Sequence, residues 1–315
     1  MRILIRNGRL LRTARATYLE SADVLIQDTR IAEAAPGLTA SAEKVIDAAG
    51  NLVMPGLIQT HVHLCQTPLL GSAGDVPLMD WLTRRAWPLE AAHDPETLYH
   101  SVRWGALRLI RSGTTALIDH ETVRHTEAAF QGLLNSGLRA QSGKVLMDHE
   151  GHCPPYLRES TEEALRESLA LIARYDGTDE GPLTYGLNPR FVVSCTDRLL
   201  REVGKLARRV NVPIHLHAHE EPVSIGMVER ERGKRPIPHL HDLGLLGPKT
   251  QLVHCVHLTA SETKLLADTG THVCHCPSSN LVLGSGVAPV PELRDAGINV
   301  SLGSDATAFN PTLSA

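Results

Sequence analysis

The sequence predicts an α/β fold of eight βα units, arranged as a (β/α)8 barrel of the TIM type and preceded by a small β domain. Three observations predict it. From residue 54 onward, apolar β-like runs alternate with segments whose apolar residues recur at helical spacing, the pattern of repeated βα units on a parallel sheet. The runs number eight, at 57–63, 115–119, 140–146, 184–188, 212–217, 251–254, 272–276 and 299–303. Before residue 54 there are only short strand-like stretches separated by turn residues.

Residues 1–53 read as the N-terminal part of the small β domain. Strands are expected at Ile3 to Arg6, Val24 to Gln27 and Lys44 to Asp47, with turns at Asn7-Gly8 and Ala49-Gly50. The barrel occupies 54–315. Its helices carry start and stop chemistry: Asp94-Pro95 is a cap followed by proline in the first turn, and Thr259-x-x-Glu262 is a capping box. Leu98, Val102, Ala106 and Leu109 lie on one helical face, and Gly113, Gly137, Gly270 and Gly297 each close a helix before the next strand. Ser304 to Pro311 follow the eighth strand without a closing helix. The barrel is therefore expected to be incomplete at its C-terminal side, with apolar surface exposed there.

At 315 residues and 42% hydrophobic, the chain can bury a substantial core. Its net charge of −4, with Lys and Arg scattered, offers no basic footprint for nucleic acid or an anionic membrane. The N-terminus lacks the apolar core of a signal peptide, and no apolar stretch reaches the roughly 20 residues that span a bilayer. A cytoplasmic protein with a small-molecule partner is the expectation. Six cysteines without a CxxC pair read as reduced and buried. Seventeen histidines, many beside apolar strand-like runs, require an explanation.

The first barrel strand ends in His61-Val62-His63. Strand side chains alternate, so both imidazoles face one side and can share a metal ion. The pair also falls at the C-terminal end of a barrel strand, where barrel active sites are built. The fifth strand carries His215, His217 and His219 in alternation, with Glu220 as the chain leaves it. Of these, His215 suits the barrel interior and His219 the surface. The sixth strand ends in His254 and the eighth in Asp305, bringing a further histidine and a carboxylate to the same end. The plainer reading makes these independent core histidines and a helix-capping Asp305, and it requires several coincidences at once. No HExxH, PCxxC, Walker loop or GxSxG is present.

The blocks MPGLIQTHVHL, HLHAHEEP, LVHCVHL, HCPSSNLVLGSG and LGSD resemble the amidohydrolase superfamily. Within it they resemble the cytosine/guanine deaminase, adenosylhomocysteine deaminase and triazine chlorohydrolase branch. The resemblance runs along the whole chain. It implies a (β/α)8 barrel flanked by a β-sandwich, and one zinc, with iron as the alternative, held by His61, His63, His217 and Asp305. It casts Glu220 and His254 as catalytic groups beside the ion. Asp305 would take the proton of the attacking water, Glu220 would carry a proton to the ring nitrogen, and His254 would steady the reacting oxygen. Glu221 is the rival to Glu220.

For substrate, Asn188-Pro189-Arg190-Phe191 resembles the PRF segment of guanine deaminases. Arg190 can donate a planar fork to a ring carbonyl or serve in a rim salt bridge. The stretch from Leu64 to Leu82 instead resembles the adenosylhomocysteine-type and chlorohydrolase members, with Gln66 and Trp81 as pocket residues. The expected activity is hydrolytic deamination of an amino-substituted N-heterocycle, such as guanine or a 5′-modified adenosine, with release of ammonia. Triazine chlorohydrolysis and a non-catalytic assembly role are the alternatives. A homodimer is expected from the resemblance alone.

Overall fold

The computed structural model describes residues 1–13, 18–74, 76–176 and 181–314. The chain forms two compact units, Met1–Gly56 and Leu57–Ala315.

The first unit is a mixed five-stranded sheet. Strand β1 (Arg2–Arg12) pairs antiparallel with β2 (Tyr18–Gln27), which pairs with β3 (Arg30–Ala35). On its other edge β1 pairs parallel with β4 (Lys44–Asp47) and β5 (Leu52–Val53). The expected turn at Asn7-Gly8 is instead a bulge inside one long strand. Asn7 adopts φ 61°, the register shifts between Ile5 and Gly8, and the Asn7 N–H is satisfied by the Asp23 carboxylate at 2.8 Å. An Asn-Gly pair supplies left-handed backbone equally well to a turn or to a bulge, so local chemistry could not choose. Leu4 and Leu25 pack with Leu38, while Leu10, Ala22 and Val24 form a second cluster.

The second unit is an α/β assembly of parallel ladders. Strands β6 (Leu57–Val62), β7 (Thr114–Asp119), β8 (Arg139–Ser142) and β10 (Leu183–Tyr185) form one ladder in that order. Short strands β9 (Val145–Leu146) and β11 (Asn188–Pro189) pair where the neighbouring segments continue. Strands β12 (Ile214–Ala218), β13 (Thr250–His254), β14 (His272–His275) and β15 (Val300–Leu302) form the third. Isolated parallel bridges join Leu187 to Ile214, Phe191 to His217, and Val62 to Asp305.

Helices separate the strands, and their ends follow the sequence signals. Asp94 caps Pro95–Arg111 through a reciprocal pair with Thr97, and Thr259 and Glu262 form the capping box of Ala260–Thr269. Leu98, Val102, Ala106 and Leu109 are fully buried. Gly270 ends its helix at φ 68°, where a side chain would be strained. All six cysteines are free and buried. Among the described residues no helix is long and apolar enough to cross a membrane.

Candidate metal centre and active-site pocket

The C-terminal ends of β6, β12, β13 and β15 converge. Alternation along β6 buries His61 and His63 together, and the same rule on β12 stacks His215 beneath His217. His215 fills the interior, its Nε2 3.2 Å from His61 Nδ1. His219 departs from the surface placement expected for it. It is buried, accepting at Nε2 the N–H of Ile237 and lying 3.4 Å from Glu262, because the segment after β12 folds back over it. Three of these strand ends finish in left-handed backbone, at His219 (φ 53°), His254 (φ 74°) and Asp305 (φ 60°). Such strained positions persist only where surrounding contacts hold them. Asp305 is held by its N–H to the His61 carbonyl at 3.0 Å.

The histidine tautomers follow from these contacts. His63 Nδ1 lies 2.7 Å from the His120 carbonyl and His217 Nδ1 lies 2.8 Å from the Arg190 carbonyl, so each Nδ1 must donate. Each Nε2 is then a bare lone pair, and the two Nε2 atoms face each other at 3.2 Å. Lone pairs at that distance repel unless a cation lies against both. His61 Nε2 is buried without a hydrogen-bond partner, with Asp305 Oδ1 3.5 Å away. Asp305 Oδ1 is also 3.4 Å from His63 Nε2. Burial lowers the pKa of His61 and His217 and brings His63 down to about 3, so protons do not neutralise the cluster near pH 7. Burial works against the Asp305 carboxylate, but the nearby imidazoles of His61, His63 and His254 hold it well below the usual range. Three neutral imidazole nitrogens, those of His63 and His217 aligned by backbone carbonyls behind them, and an ionised carboxylate are a donor set for a divalent ion.

Beside this cluster lies a small pocket that opens to solvent. Its lining combines polar side chains, among them Glu220, His254, Asp305 and Arg190, with apolar ones such as Trp81, Phe191 and Phe309. Glu220 Oε2 stands 3.4 Å from His254 Nε2, and burial pushes the Glu220 carboxyl up to about 7, with the Asp305 charge adding and His254 opposing. His254 donates from Nδ1 to Asn280 at 2.8 Å, which turns its Nε2 towards Glu220 and Asp305. Glu221 turns away from the pocket and precedes the helix Pro222–Arg232, its carbonyl accepting from Ser224.

The three residues expected to touch substrate are placed differently. Trp81 lines the pocket, its ring 4.7 Å from that of Phe309. Arg190 also lines it, but its fork is engaged by Glu90, Nη1 to Oε2 at 2.7 Å and Nη2 to Oε1 at 3.0 Å. Gln66 is buried outside the lining and donates to the same Glu90 at 2.7 Å. Glu90 is the residue sequence reasoning missed, and its only signal was a lone acid in the apolar turn Trp87-Pro88-Leu89-Glu90. His120 was missed too. It is buried at the end of β7, its ring 4.6 Å from that of His217 and both its nitrogens unpartnered.

Residues 52–314 match the model of the amidohydrolase family. The 5-methylthioadenosine/S-adenosylhomocysteine deaminase of Thermococcus kodakarensis is 35% identical over 313 residues, 99% of this chain and 72% of the relative. The 5′-deoxyadenosine deaminase of Methanothermobacter thermautotrophicus is 37% identical over 292 residues, 92% of this chain and 66% of the relative. Among solved structures, guanine deaminase from C. acetobutylicum with bound guanine superposes with a TM-score of 0.91 at 29% identity, covering 98% of this chain and 75% of that one. Atrazine chlorohydrolase from Arthrobacter aurescens, complexed with zinc, gives 0.91 at 26% identity, over 98% of this chain and 73% of that one. A family model that matches residues 52–314, together with relatives at 35% and 37% identity, leads to one conclusion: the chain belongs to the amidohydrolase family.

Proposed function

We propose that this chain is a metal-dependent aminohydrolase that deaminates an amino-substituted purine, releasing ammonia. The observation that carries the reading is the pair of facing lone pairs on His63 and His217, with unpartnered His61 Nε2 and ionised Asp305 beside them, next to a pocket lined in part by apolar side chains. His61, His63, His217 and Asp305 would hold the ion, for which zinc fits the nitrogen-rich donor set. When bound, such an ion lowers the pKa of water to about 7 and polarises the substrate.

The chain's own residues supply the rest. Asp305 is anionic and accepts the proton of the attacking water. Glu220, with a carboxyl near 7, can both take and release a proton around neutrality, as delivery to a ring nitrogen and then to the departing amine requires. His254, oriented by Asn280, hydrogen-bonds to the oxygen that attacks. Trp81, Phe191 and Phe309 offer flat apolar surface to a planar ring. The Glu90 carboxylate orients Arg190 at the wall, so Arg190 acts through its remaining N–H groups and Gln66 acts by holding Glu90. In this reading the ladders and single bridges form one closed (β/α)8 circuit, which delivers the ligands to one end.

The relatives at 35% and 37% identity favour an adenosine derivative modified at the 5′ position over guanine. A second reading, chloride displacement from a triazine, is supported by the fold similarity to atrazine chlorohydrolase, at 26% identity. The test is a release assay on the zinc-loaded protein with 5′-methylthioadenosine, S-adenosylhomocysteine, 5′-deoxyadenosine, guanine, cytosine and atrazine. Ammonia from an adenosine derivative or guanine is expected. Chloride without ammonia would establish the second reading, and no release from zinc-bound protein would reject both.

A further inference from the structure

Among the described residues one more group of histidine and carboxylate side chains gathers its ligand atoms within 4.8 Å, and it shares no residue with the pocket. We propose that His149, His152 and Glu231 form a second binding site for a divalent transition-metal ion. His149 and His152 lie on the turn that follows β9, and Glu231 lies on the helix Pro222–Arg232 that follows β12. The cluster therefore stands at the same end of the strands as the pocket, where two separate segments leave the sheet.

The turn is built to present both rings. The N–H groups of Asp148 and His149 donate to the Ser194 carbonyl at 3.2 and 3.1 Å, and Cys153 N–H closes the turn on the His149 carbonyl at 3.0 Å. The imidazoles then stack with centroids 4.7 Å apart and planes 23° from parallel, both directed at one carboxylate. His149 Nε2 lies 2.9 Å from Glu231 Oε1, and His152 Nε2 lies 3.3 Å from Glu231 Oε2. Arg232 Nη1, 3.7 Å from Glu231 Oε1, steadies that carboxylate.

The donor chemistry selects the ion. Two imidazole nitrogens and one carboxylate suit zinc, nickel, cobalt or copper, whereas calcium and magnesium require mostly oxygen. The side chains are 14%, 28% and 36% exposed, so an ion can enter from solvent and keep water in its remaining position. Without metal, one proton on each Nε2 bridges to the carboxylate. On binding, the ion takes the place of both protons. His149 and His152 each move that proton to Nδ1, which at His149 costs the 3.2 Å contact in which Nδ1 accepts the Gly151 N–H. The result is a cross-link between the turn after β9 and the helix after β12.

The test is equilibrium dialysis of the chelator-stripped protein against excess zinc, with bound zinc counted per chain. The expected counts are two for the unmodified protein and one each for His152→Gln and Glu231→Gln. His63→Gln should lose the other equivalent and keep this one, so failure at the pocket is distinguishable from failure here. Cobalt in place of zinc gives a second readout, since the visible spectrum of the second equivalent should vanish in His152→Gln and in Glu231→Gln and persist in His63→Gln. A zinc count that neither His152→Gln nor Glu231→Gln lowers would overturn the site and leave the cluster a plain ion pair.

Discussion

At the scale of single residues, proton traffic and charge burial carry the clearest consequences. Glu220 touches no proposed ligand atom closely, yet it faces His254 across 3.4 Å with a carboxyl poised near neutrality. Glu220→Gln keeps the shape but cannot exchange a proton. It should retain one zinc at the pocket and lose roughly 10²–10⁴ in ammonia release, which a coupled assay with metal analysis would register. Full activity would remove Glu220 from the mechanism. The Glu90–Arg190 pair gives a second case, with both side chains almost completely buried. Removing one partner strands a charge, a loss of about 3–5 kcal/mol, whereas removing both does not. Urea unfolding should therefore find Arg190→Met less stable than the double variant Glu90→Gln/Arg190→Met. The reverse order would mean that the pair is not a closed unit.

At the scale of elements, the helix Ala260–Thr269 shows how an end signal becomes part of the architecture. Thr259 Oγ1 accepts the Glu262 N–H, and the Glu262 carboxylate accepts from Thr259 N–H in return. The same carboxylate receives Arg235 at 2.8 Å and lies 3.4 Å from buried His219, so the cap also ties down the segment that leaves β12. Thr259→Ala should cost about 1 kcal/mol, read as a lower urea midpoint with an unchanged slope. A change in slope would show that the cap alters the cooperativity of the unit.

At the scale of the whole molecule, buried acids make stability depend on pH. Burial pushes Glu159 up to about 7 from an ordinary value of 4.5, outweighing Lys144 Nζ 2.9 Å away, and the charge of Glu167, which shares that lysine at the same distance, adds to the rise. The folded chain then holds a proton that the unfolded chain releases. This contribution is fully present below about pH 4.5 and is lost as pH rises to about 7. Glu159→Gln removes the titration and should flatten the fall in melting temperature across that window. An unchanged slope would place Glu159's proton affinity at its ordinary value.

The sequence by itself determined the alternation of strands and helices, their caps, and the strand ends that carry His61, His63, His217, His254 and Asp305. These follow from local rules: side-chain alternation, helical periodicity and end chemistry act within a few residues. What only the tertiary structure decided is which distant groups meet. Glu90 and Arg190 are 100 residues apart, and the pair that occupies the Arg190 fork has no local signature. Likewise Glu220 and Glu221 are adjacent and chemically alike, and only the turn leaving β12 sends one to the pocket and the other to the following helix. His219, read from its neighbours as a surface residue, became buried because a later segment folded over it. Burial and partnership are long-range properties, since the free energy of a buried charge depends on groups brought together by folding, far outside any window of sequence.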